Sequence, residues 1–261
     1  MPPIPERKRI VITGASSGLG AALAQLYAAS GRKLGLIGRN ETRLAAVAAL
    51  CRDAGAEVDA AALDVGEADP LAAWLGEFGR DGPIDLVIAN AGTSAGPAPG
   101  SMAEGLELAS RQVRTNLLGV MHTIEPLLPS FIARGQGQIA VVSSVAGYRG
   151  LPYSPAYSAS KAGARMYGES LRALLAPAGI AVTVVCPGFF SSPMTDRFKG
   201  GTPFLYSLER TATIVRRGID NRRRRVAFPW PLAAALRIAD LLPARLGDAI
   251  MRANRFHIIP S

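Results

Sequence analysis

A tyrosine and a lysine four residues apart form the segment of this sequence with the clearest potential for chemistry. Tyr157 and Lys161 lie in a stretch rich in Ala, Leu, Arg and Ser without a proline between Pro155 and Pro177, which predicts a helix over residues 156–175. Residues four apart on a helix project from the same face. A neighbouring cation favours the phenolate, which brings a phenol with an ordinary pKa near ~10 closer to general acid–base work at neutral pH. The alternative is a pair of surface side chains on an ordinary helix.

Two serines lie upstream of this tyrosine. An apolar run over residues 138–142 predicts a strand, and Ser143 and Ser144 follow it directly, the second of them thirteen residues before Tyr157. Open α/β sheets bind their ligands beyond the carboxyl ends of the strands. Both serines are therefore candidates for a hydroxyl that acts beside the phenol.

A glycine-rich turn near the start of the sequence indicates a nucleotide site. The β-branched run Arg9–Thr13 predicts a strand, and an Ala- and Leu-rich helix to Ala29 follows the turn. Gly14 permits the tight turn, Gly18 lets the backbone approach a pyrophosphate, and Gly20 allows helix and strand to pack closely. The spacing departs from G-x-G-x-x-G, and a flexible loop is the alternative, although the position between strand and helix argues against it. The predicted cofactor contacts in this turn also include Ser16, Ser17 and Leu19.

The end of the second predicted strand bears on which dinucleotide would bind. That strand covers residues 33–38 and is followed by Arg39 and Asn40, where dinucleotide-binding folds place the residue that reads the ribose. An acidic side chain there suits the 2′-hydroxyl of NAD, whereas an arginine suits the 2′-phosphate of NADP. Arg39 therefore predicts NADP(H). The alternative is a solvent-exposed arginine that precedes the next helix, which is predicted over residues 40–54.

The rest of the sequence alternates strand and helix patterns. This alternation predicts α/β architecture: a single doubly wound, Rossmann-type domain with a parallel sheet of about seven strands and helices on both faces. We predict that the domain covers residues 1–261, with a tail over residues 1–8. Three further strands, over residues 57–63, 84–89 and 180–186, end at Asp64 and Val65, at Asn90, Ala91 and Gly92, and at Pro187 and Gly188.

An asparagine interrupts the longest helical pattern before Tyr157. Residues 102–134 are predicted to be mostly helical, and Asn116 lies near the middle of this segment. Asparagine is a mediocre helix former because its side chain competes for backbone hydrogen bonds. Its side chain either points to solvent or has a role in the site.

The order of these motifs resembles that of the short-chain dehydrogenase/reductase family over about residues 8–198. The resemblance implies hydride transfer between a nicotinamide and a carbonyl carbon. It also implies that the protein assembles as a homodimer or homotetramer. The motifs that carry it are Thr13-Gly14-x-x-x-Gly18-x-Gly20, Asp64-Val65, Asn90-Ala91-Gly92, Asn116, Ser144, Tyr157-x-x-x-Lys161 and Pro187-Gly188.

The same resemblance implies a role for each of four side chains. Tyr157 would be the catalytic acid and base, and Ser144, which the family's spacing selects over Ser143, would hydrogen-bond the substrate oxygen. Lys161 would hold the nicotinamide ribose and lower the pKa of the tyrosine, while Asn116 would position the lysine through ordered water. One departure is Ser192, which stands where the family often has threonine and would still reach a cofactor amide as a hydroxyl.

The segment over residues 189–210 is predicted to be a lid over the substrate. Its aromatic and aliphatic residues among glycines and prolines suggest an apolar pocket, hence an apolar carbonyl or alcohol substrate. The alternative is that these side chains only pack the loop onto the sheet. They are Phe189, Phe190, Met194, Phe198, Phe204, Leu205 and Tyr206.

The net charge of +9 comes almost entirely from the C-terminal part of the sequence. Residues 1–198 carry 17 basic and 16 acidic side chains, whereas residues 199–261 carry 12 and 4. Two helices are predicted over residues 231–242 and 244–256, and the second has Arg245, Asp248, Arg252 and Arg255 on one face and aliphatic residues on the other. Such helices either lie on an anionic membrane or pack on this or a neighbouring subunit. A run of four arginines lies at residues 222–225. No nucleic-acid partner is expected, because this run lacks a recognisable nucleic-acid motif and interleaved aromatic residues.

Composition indicates a cytoplasmic protein. Two cysteines and two histidines are too few for a disulfide framework or a metal site, so no metal is expected. No signal-peptide pattern and no apolar run near ~18 residues occurs in the sequence. The alternative to an enzyme is a catalytically silent nucleotide-sensing protein with the same fold.

Overall fold

The chain is built around a parallel sheet of seven strands. The computed structural model describes residues 7–98, 100–253 and 256–258. The strands are β1 (Arg9–Thr13), β2 (Lys33–Ile37), β3 (Glu57–Ala61), β4 (Leu86–Ala89), β5 (Gly137–Val142), β6 (Ile180–Pro187), β7 (Phe198–Gly200), β8 (Arg225–Phe228) and β9 (Phe256–Ile258). Seven of these strands form the large sheet, in the order β3-β2-β1-β4-β5-β6-β8, with every neighbouring pair parallel. The other two, β7 and β9, form a separate pair. The predicted doubly wound α/β fold is confirmed.

The central strands form because their sequences are apolar at nearly every position. All residues of β4 and β5 are buried, as expected for a sheet that is covered on both faces. The chain proceeds outward from β1 through β2 to β3 and then returns to the other side of β1 to form β4. This reversal opens a crevice at the carboxyl ends of β1 and β4, which is where such sheets bind ligands.

Helices cover both faces of the sheet. The helices are α1 (Gly18–Tyr27), α2 (Glu41–Asp53), α3 (Ala68–Phe78), α4 (Leu106–Val113), α5 (Gly119–Ile124), α6 (Leu128–Arg134), α7 (Pro155–Leu175), α8 (Leu208–Asp220), α9 (Trp230–Leu241) and α10 (Ala244–Ala253). One buried cluster joins α1, α2 and α8 to one face of the sheet, and a second joins α3, α5, α6 and α7 to the other. Within the described chain, no helix combines the length and the apolar composition needed to span a membrane.

Two predicted helices have different boundaries in the structure. The helical segment predicted over residues 102–134 begins only at Leu106, after Gly105 with φ of 80°, and is divided by a π-helical turn at Arg114–Leu118. A 3₁₀ turn that contains Pro126 divides it again, because proline has no amide hydrogen to donate. The last predicted helix stops at Ala253 rather than reaching residue 256. Residues 256–258 instead form β9, which pairs antiparallel with β7, and Arg255 lies outside the described residues.

The long helix α7 approaches the sheet closely. Pro155 occupies its first turn, where the missing amide hydrogen costs nothing, and the helix continues for 21 residues. At Gly168, a Cβ atom would lie 2.9 Å from a methyl carbon of Val184 and 3.2 Å from one of Val141. The absence of a side chain at this position therefore sets how near α7 lies to β5 and β6.

We expect the substitution Gly168→Ala to destabilise the protein by about 1–3 kcal/mol, because the added methyl group overpacks the contact between helix and sheet. Gly76→Ala is the matched control, since its added Cβ on α3 meets no atom within 4 Å. That control should be neutral or stabilising by up to about 1 kcal/mol, because alanine favours helix. Urea unfolding measures both free energies. Equal unfolding free energies for the two variants would contradict the tight packing.

Candidate active site

A cleft of about 540 Å³ lies at the carboxyl ends of the strands and gathers nearly all the predicted site residues. Gly20 and Asn116 are outside its wall and support it from behind. The predicted residues that line it are Gly14, Ser16, Ser17, Gly18, Leu19, Arg39, Asn40, Asp64, Val65, Asn90, Ala91, Gly92, Ser144, Tyr157, Lys161, Pro187, Gly188 and Ser192.

The glycine turn between β1 and α1 forms one end of the cleft. Gly14 and Gly18 have φ of 69° and 52°, a backbone conformation that strains other residues. At Gly20, a Cβ atom would lie 2.2 Å from the carbonyl oxygen of Gly14, so only glycine fits there. Ser17 is the N-cap of α1 and makes no side-chain capping bond within the described chain. The first turn of α1 therefore presents backbone N–H groups that suit an anion.

A threonine that the sequence analysis gave no role ties two strands together beside this turn. The Thr13 hydroxyl oxygen accepts hydrogen bonds from the backbone N–H groups of Asn90 at 3.0 Å and Ala91 at 3.1 Å. The Asn90 amide in turn donates to the Thr13 carbonyl oxygen at 3.0 Å. These bonds hold β1 and β4 together where the crevice opens. Thr13 is the first residue of the glycine motif, and its place in that motif was the sequence signal that could have identified it as a site residue.

The other end of the cleft brings Ser144, Tyr157 and Lys161 together. Tyr157 and Lys161 project from the first two turns of α7, and the Tyr157 phenol is hydrogen-bonded to Ser144. The Lys161 ammonium lies 6.0 Å from the centre of the Tyr157 ring and donates to the Val142 carbonyl oxygen at 3.0 Å. The alternative of a surface pair is wrong, since Lys161 is buried and Tyr157 lines the cleft.

The two candidate serines have different hydrogen bonds. Ser143 donates to the Lys161 carbonyl oxygen at 2.7 Å, which fastens α7 to the end of β5. Ser144 accepts from the backbone N–H of Ala146 at 3.1 Å, and its hydroxyl is the one that reaches Tyr157. Ser144 is therefore the serine placed to act beside the phenol.

Burial controls the protonation of this group of side chains. Desolvation raises the pKa of Tyr157 above its ordinary value, and the hydrogen bond with Ser144 opposes that rise. Desolvation also lowers the pKa of Lys161 to about 8. The predicted lowering of the tyrosine pKa by Lys161 is absent from these influences. In the structure the Lys161 ammonium donates to the Val142 carbonyl oxygen rather than to the phenol.

Asn116 is fully buried, so the alternative of a solvent-facing side chain is wrong. It lies in the π-helical turn, a distortion that is frequent at functional sites. Its oxygen accepts from the Thr93 N–H at 2.8 Å, and its nitrogen donates to the Thr93 carbonyl oxygen and to the Ser160 hydroxyl, both at 2.9 Å. Ser160, which sequence reasoning missed, donates to the Tyr157 carbonyl oxygen at 2.8 Å.

Gly92 lies close to the polar groups of both Asn116 and Lys161. A Cβ atom at Gly92 would lie 3.2 Å from the Lys161 amine and 3.3 Å from the Asn116 side-chain oxygen. Of these two side chains, Lys161 lines the cleft and Asn116 lies behind its wall. No direct hydrogen bond between them is recorded among the described residues.

The rim of the cleft carries two arginines. Arg39 is 58% exposed at its side chain and lies 3.6 Å from an Asp64 carboxylate oxygen. Asn40 caps α2 by accepting from the Arg43 N–H at 2.9 Å. Arg43, which the sequence analysis did not select, lies in the first turn of α2 and lines the cleft together with Arg39.

A second, apolar cavity of about 120 Å³ meets the first at Ser144 and Tyr157. The predicted lid contributes Phe189, Phe190, Met194 and Phe198 to its wall, and α9 contributes Leu232 and Leu236. The remaining lid residues lie elsewhere: Phe204 and Leu205 are exposed, and Tyr206 stacks on Phe228. The first half of this segment therefore lines the cavity, whereas in the second half Tyr206 packs on the sheet and its two neighbours face solvent.

The described part of the chain contains no group of three or more His, Cys, Asp and Glu side chains that could hold a metal ion. Cys51 and Cys186 are both buried and free.

Comparison with known proteins identifies the family. The model of the short chain dehydrogenase family matches residues 8–201. An uncharacterized oxidoreductase of Myxococcus xanthus is 37% identical over 250 residues, which cover 94% of this chain and 96% of that protein. A putative ketoacyl reductase of the granaticin polyketide synthase of Streptomyces violaceoruber is 34% identical, with 81% of this chain and 78% of that protein covered.

Among solved structures, a short-chain dehydrogenase from Sphingobium yanoikuyae in complex with NADPH superimposes with a TM-score of 0.78. The two chains are 27% identical, and the match covers 95% of this chain and 96% of the other. The family model, the relatives and the shared fold lead to one conclusion: this chain belongs to the short-chain dehydrogenase family.

Proposed function

We propose that this protein is an NADP(H)-dependent oxidoreductase that interconverts an apolar carbonyl compound and its alcohol. The observation that carries the proposal is the position of Ser144 and Tyr157 at the junction of the polar cleft and the apolar cavity. A dinucleotide in the first space and a carbonyl compound in the second would meet at these two hydroxyls. The ketoacyl reductase name of the Streptomyces relative supports carbonyl reduction.

The residues of the cleft fit a dinucleotide. The turn from Gly14 to Gly20 and the first turn of α1 would hold the diphosphate through backbone N–H groups. Arg39 and Arg43 on the rim would hold a 2′-phosphate, and the NADPH of the Sphingobium structure supports this cofactor choice. Lys161 would hold the ribose next to the nicotinamide. Gly92 has no side chain that would crowd the Lys161 amine at this point.

The bound cofactor supplies the hydride, and the protein supplies the proton and the orientation. Because burial raises the pKa of Tyr157, the phenol is protonated at neutral pH and can donate its proton to a carbonyl oxygen as that oxygen gains charge. Ser144 would donate a second hydrogen bond to the same oxygen. The hydrogen bonds of Ser143, Asn116 and Ser160 hold α7 and the lysine in place.

We expect Tyr157→Phe to reduce carbonyl-dependent NADPH oxidation by at least about a hundredfold, because no other side chain takes over the proton transfer. Cofactor binding should survive. Tyr167→Phe on the same helix is the matched control, since its hydroxyl bonds Glu125 instead. Steady-state assays with ketones from small polar to long-chain measure the effect, and long-chain members should be turned over faster. Intact turnover in Tyr157→Phe would refute the mechanism, and no wild-type turnover of any ketone would favour the nucleotide-sensing alternative.

We expect Arg39→Asp to reverse a preference for NADPH over NADH. The carboxylate would repel the 2′-phosphate and would accept a hydrogen bond from the 2′-hydroxyl of NAD. Arg52→Asp near the other end of α2 is the control and should leave the preference unchanged. The ratio of kcat/KM for the two cofactors measures the effect. An unchanged ratio in the Arg39 variant would remove this residue from the phosphate site.

The lowered pKa of Lys161 predicts that cofactor binding depends on pH. Above its pKa of about 8 the amine is neutral and attracts the anionic dinucleotide less. We expect the NADPH dissociation constant of the wild type to rise about tenfold from about pH 7 to about pH 9. Lys161→Met should bind more weakly at about pH 7 and show little change over this range. Parallel pH profiles for the two proteins, measured by NADPH fluorescence, would contradict the assignment.

For the surface of α9 and α10 we propose contact with another subunit of a cytoplasmic homodimer or homotetramer. The apolar stripe of α9 supports this, because Trp230 is 76% exposed and Leu241 85% exposed. The basic charge of this region supports the alternative, which is peripheral contact with the inner face of an anionic membrane.

We expect the double substitution Trp230→Asp and Leu241→Asp to lower the sedimentation coefficient by dissociating subunits. Leu50→Asp on α2, where Leu50 is 53% exposed, is the control and should sediment like the wild type. The wild type should not float with anionic liposomes. Flotation that the double variant loses would instead assign the surface to a membrane.

A further inference from the structure

One hydroxyl in the wall of the apolar cavity lacks a partner. Ser94 is 3% exposed and lines the cavity next to Ser144 and Tyr157. Within the described chain its side-chain oxygen has no hydrogen-bond partner. A buried hydroxyl without a partner costs free energy, so its presence here calls for a ligand that pairs with it.

The backbone on both sides of Ser94 is held in place. Asn116 makes two hydrogen bonds to the backbone of Thr93. The Ala95 N–H donates to the Gln112 side chain at 2.9 Å, and the Ser154 hydroxyl donates to the Ala95 carbonyl oxygen at 2.7 Å. These bonds present the Ser94 hydroxyl to the cavity in a fixed position. Such preorganisation is typical of a polar group that binds a ligand in an apolar pocket.

A guanidinium group lies against the backbone of Ser94. One nitrogen of Arg197 donates to the Ser94 carbonyl oxygen at 3.4 Å, and the other terminal nitrogen is buried without a hydrogen-bond partner among the described residues. No described acidic side chain pairs with Arg197 either. Arg197 follows Thr195 and precedes Phe198, both of which line the cavity. The lid segment thus brings an unpaired donor and a positive charge to the backbone of Ser94.

We propose that Ser94 and Arg197 form a second polar subsite, which binds an oxygen of a carboxyl group on the substrate. This proposal rests on the proposed function and narrows it. The substrate is then an apolar ketone that also carries a carboxylate or a carboxylic ester, rather than a ketone with hydrocarbon on both sides. A guanidinium fork and a hydroxyl together suit such an oxygen, since both donate hydrogen bonds.

The test compares two substrates of equal chain length. Ethyl butyrylacetate carries an ester where pentyl propyl ketone has methylene groups, and butyrylacetate as its free salt provides a charged arm. The ratio of kcat/KM for ester and plain ketone is measured in the wild type, Ser94→Ala and Arg197→Leu. Taking this ratio within each protein and comparing it between proteins cancels the greater intrinsic reactivity of the keto ester.

Each variant should lower the ratio about tenfold, while kcat/KM for the plain ketone stays within about twofold of the wild type. Arg197→Lys should retain part of the wild-type preference for the ester over the plain ketone. In Arg197→Leu, kcat/KM should fall further for the free salt than for the ester. Ser130→Ala on α6 and Arg217→Leu in the last turn of α8 are the matched controls and should leave the ratio unchanged. Ser94→Ala should also unfold at the same temperature as the wild type or a higher one, because it removes an unpartnered hydroxyl.

The outcomes separate the subsite from the reaction. An unchanged ratio in both variants, or an equal loss for the two substrates, overturns the subsite and leaves the oxidoreductase in place. A lower unfolding temperature for Ser94→Ala would assign the hydroxyl a structural role and would also overturn the subsite. If the wild type reduces none of the three compounds, the proposed function fails and the subsite fails with it.

Discussion

The close approach of α7 to β5 and β6 is the constraint on which the site depends. Gly168 permits this approach at the middle of the helix. At its start, Gly147 lies so near that a Cβ atom there would be 2.9 Å from the Lys161 carbonyl. The Ser143 hydroxyl then bonds that carbonyl oxygen. Tyr157 and Lys161 are therefore held by the packing of a long helix on a rigid sheet, and a small outward shift of the helix would separate them from Ser144.

Burial of this group has an energetic cost and a chemical consequence. The protein places a buried lysine and a half-buried tyrosine at one end of the cleft, and desolvation moves both pKa values toward the neutral forms. The polar atoms around them are satisfied by a chain of hydrogen bonds through Asn116 and Ser160. The hydrogen bond from Lys161 to the Val142 carbonyl oxygen offsets part of the stability lost by burying the lysine, and the phenol keeps its proton at neutral pH.

The two cavities differ in polarity, and so do their two proposed ligands. The larger cleft offers backbone N–H groups and two arginines, which suit a charged dinucleotide. The smaller cavity is lined mostly by aromatic and aliphatic side chains, with the unpartnered Ser94 hydroxyl as an exception. Ser144 and Tyr157 belong to both walls, so polarity changes from one side of these hydroxyls to the other. A hydride donor and an apolar acceptor would meet at that boundary.

The sequence by itself determined the alternation of strands and helices, the sheet class and most of the cleft wall. Those features follow from local patterns: apolar runs such as β4, glycine spacing around Gly14, and motifs placed at strand ends that a parallel sheet necessarily brings together. Tertiary structure decided the rest. The π-helical turn that buries Asn116, the pairing of β9 with β7 and the position of Arg197 beside Ser94 all join residues far apart in the chain. The direction of the Tyr157 pKa shift likewise depends on how completely the fold surrounds the ring, which spacing to a lysine cannot reveal.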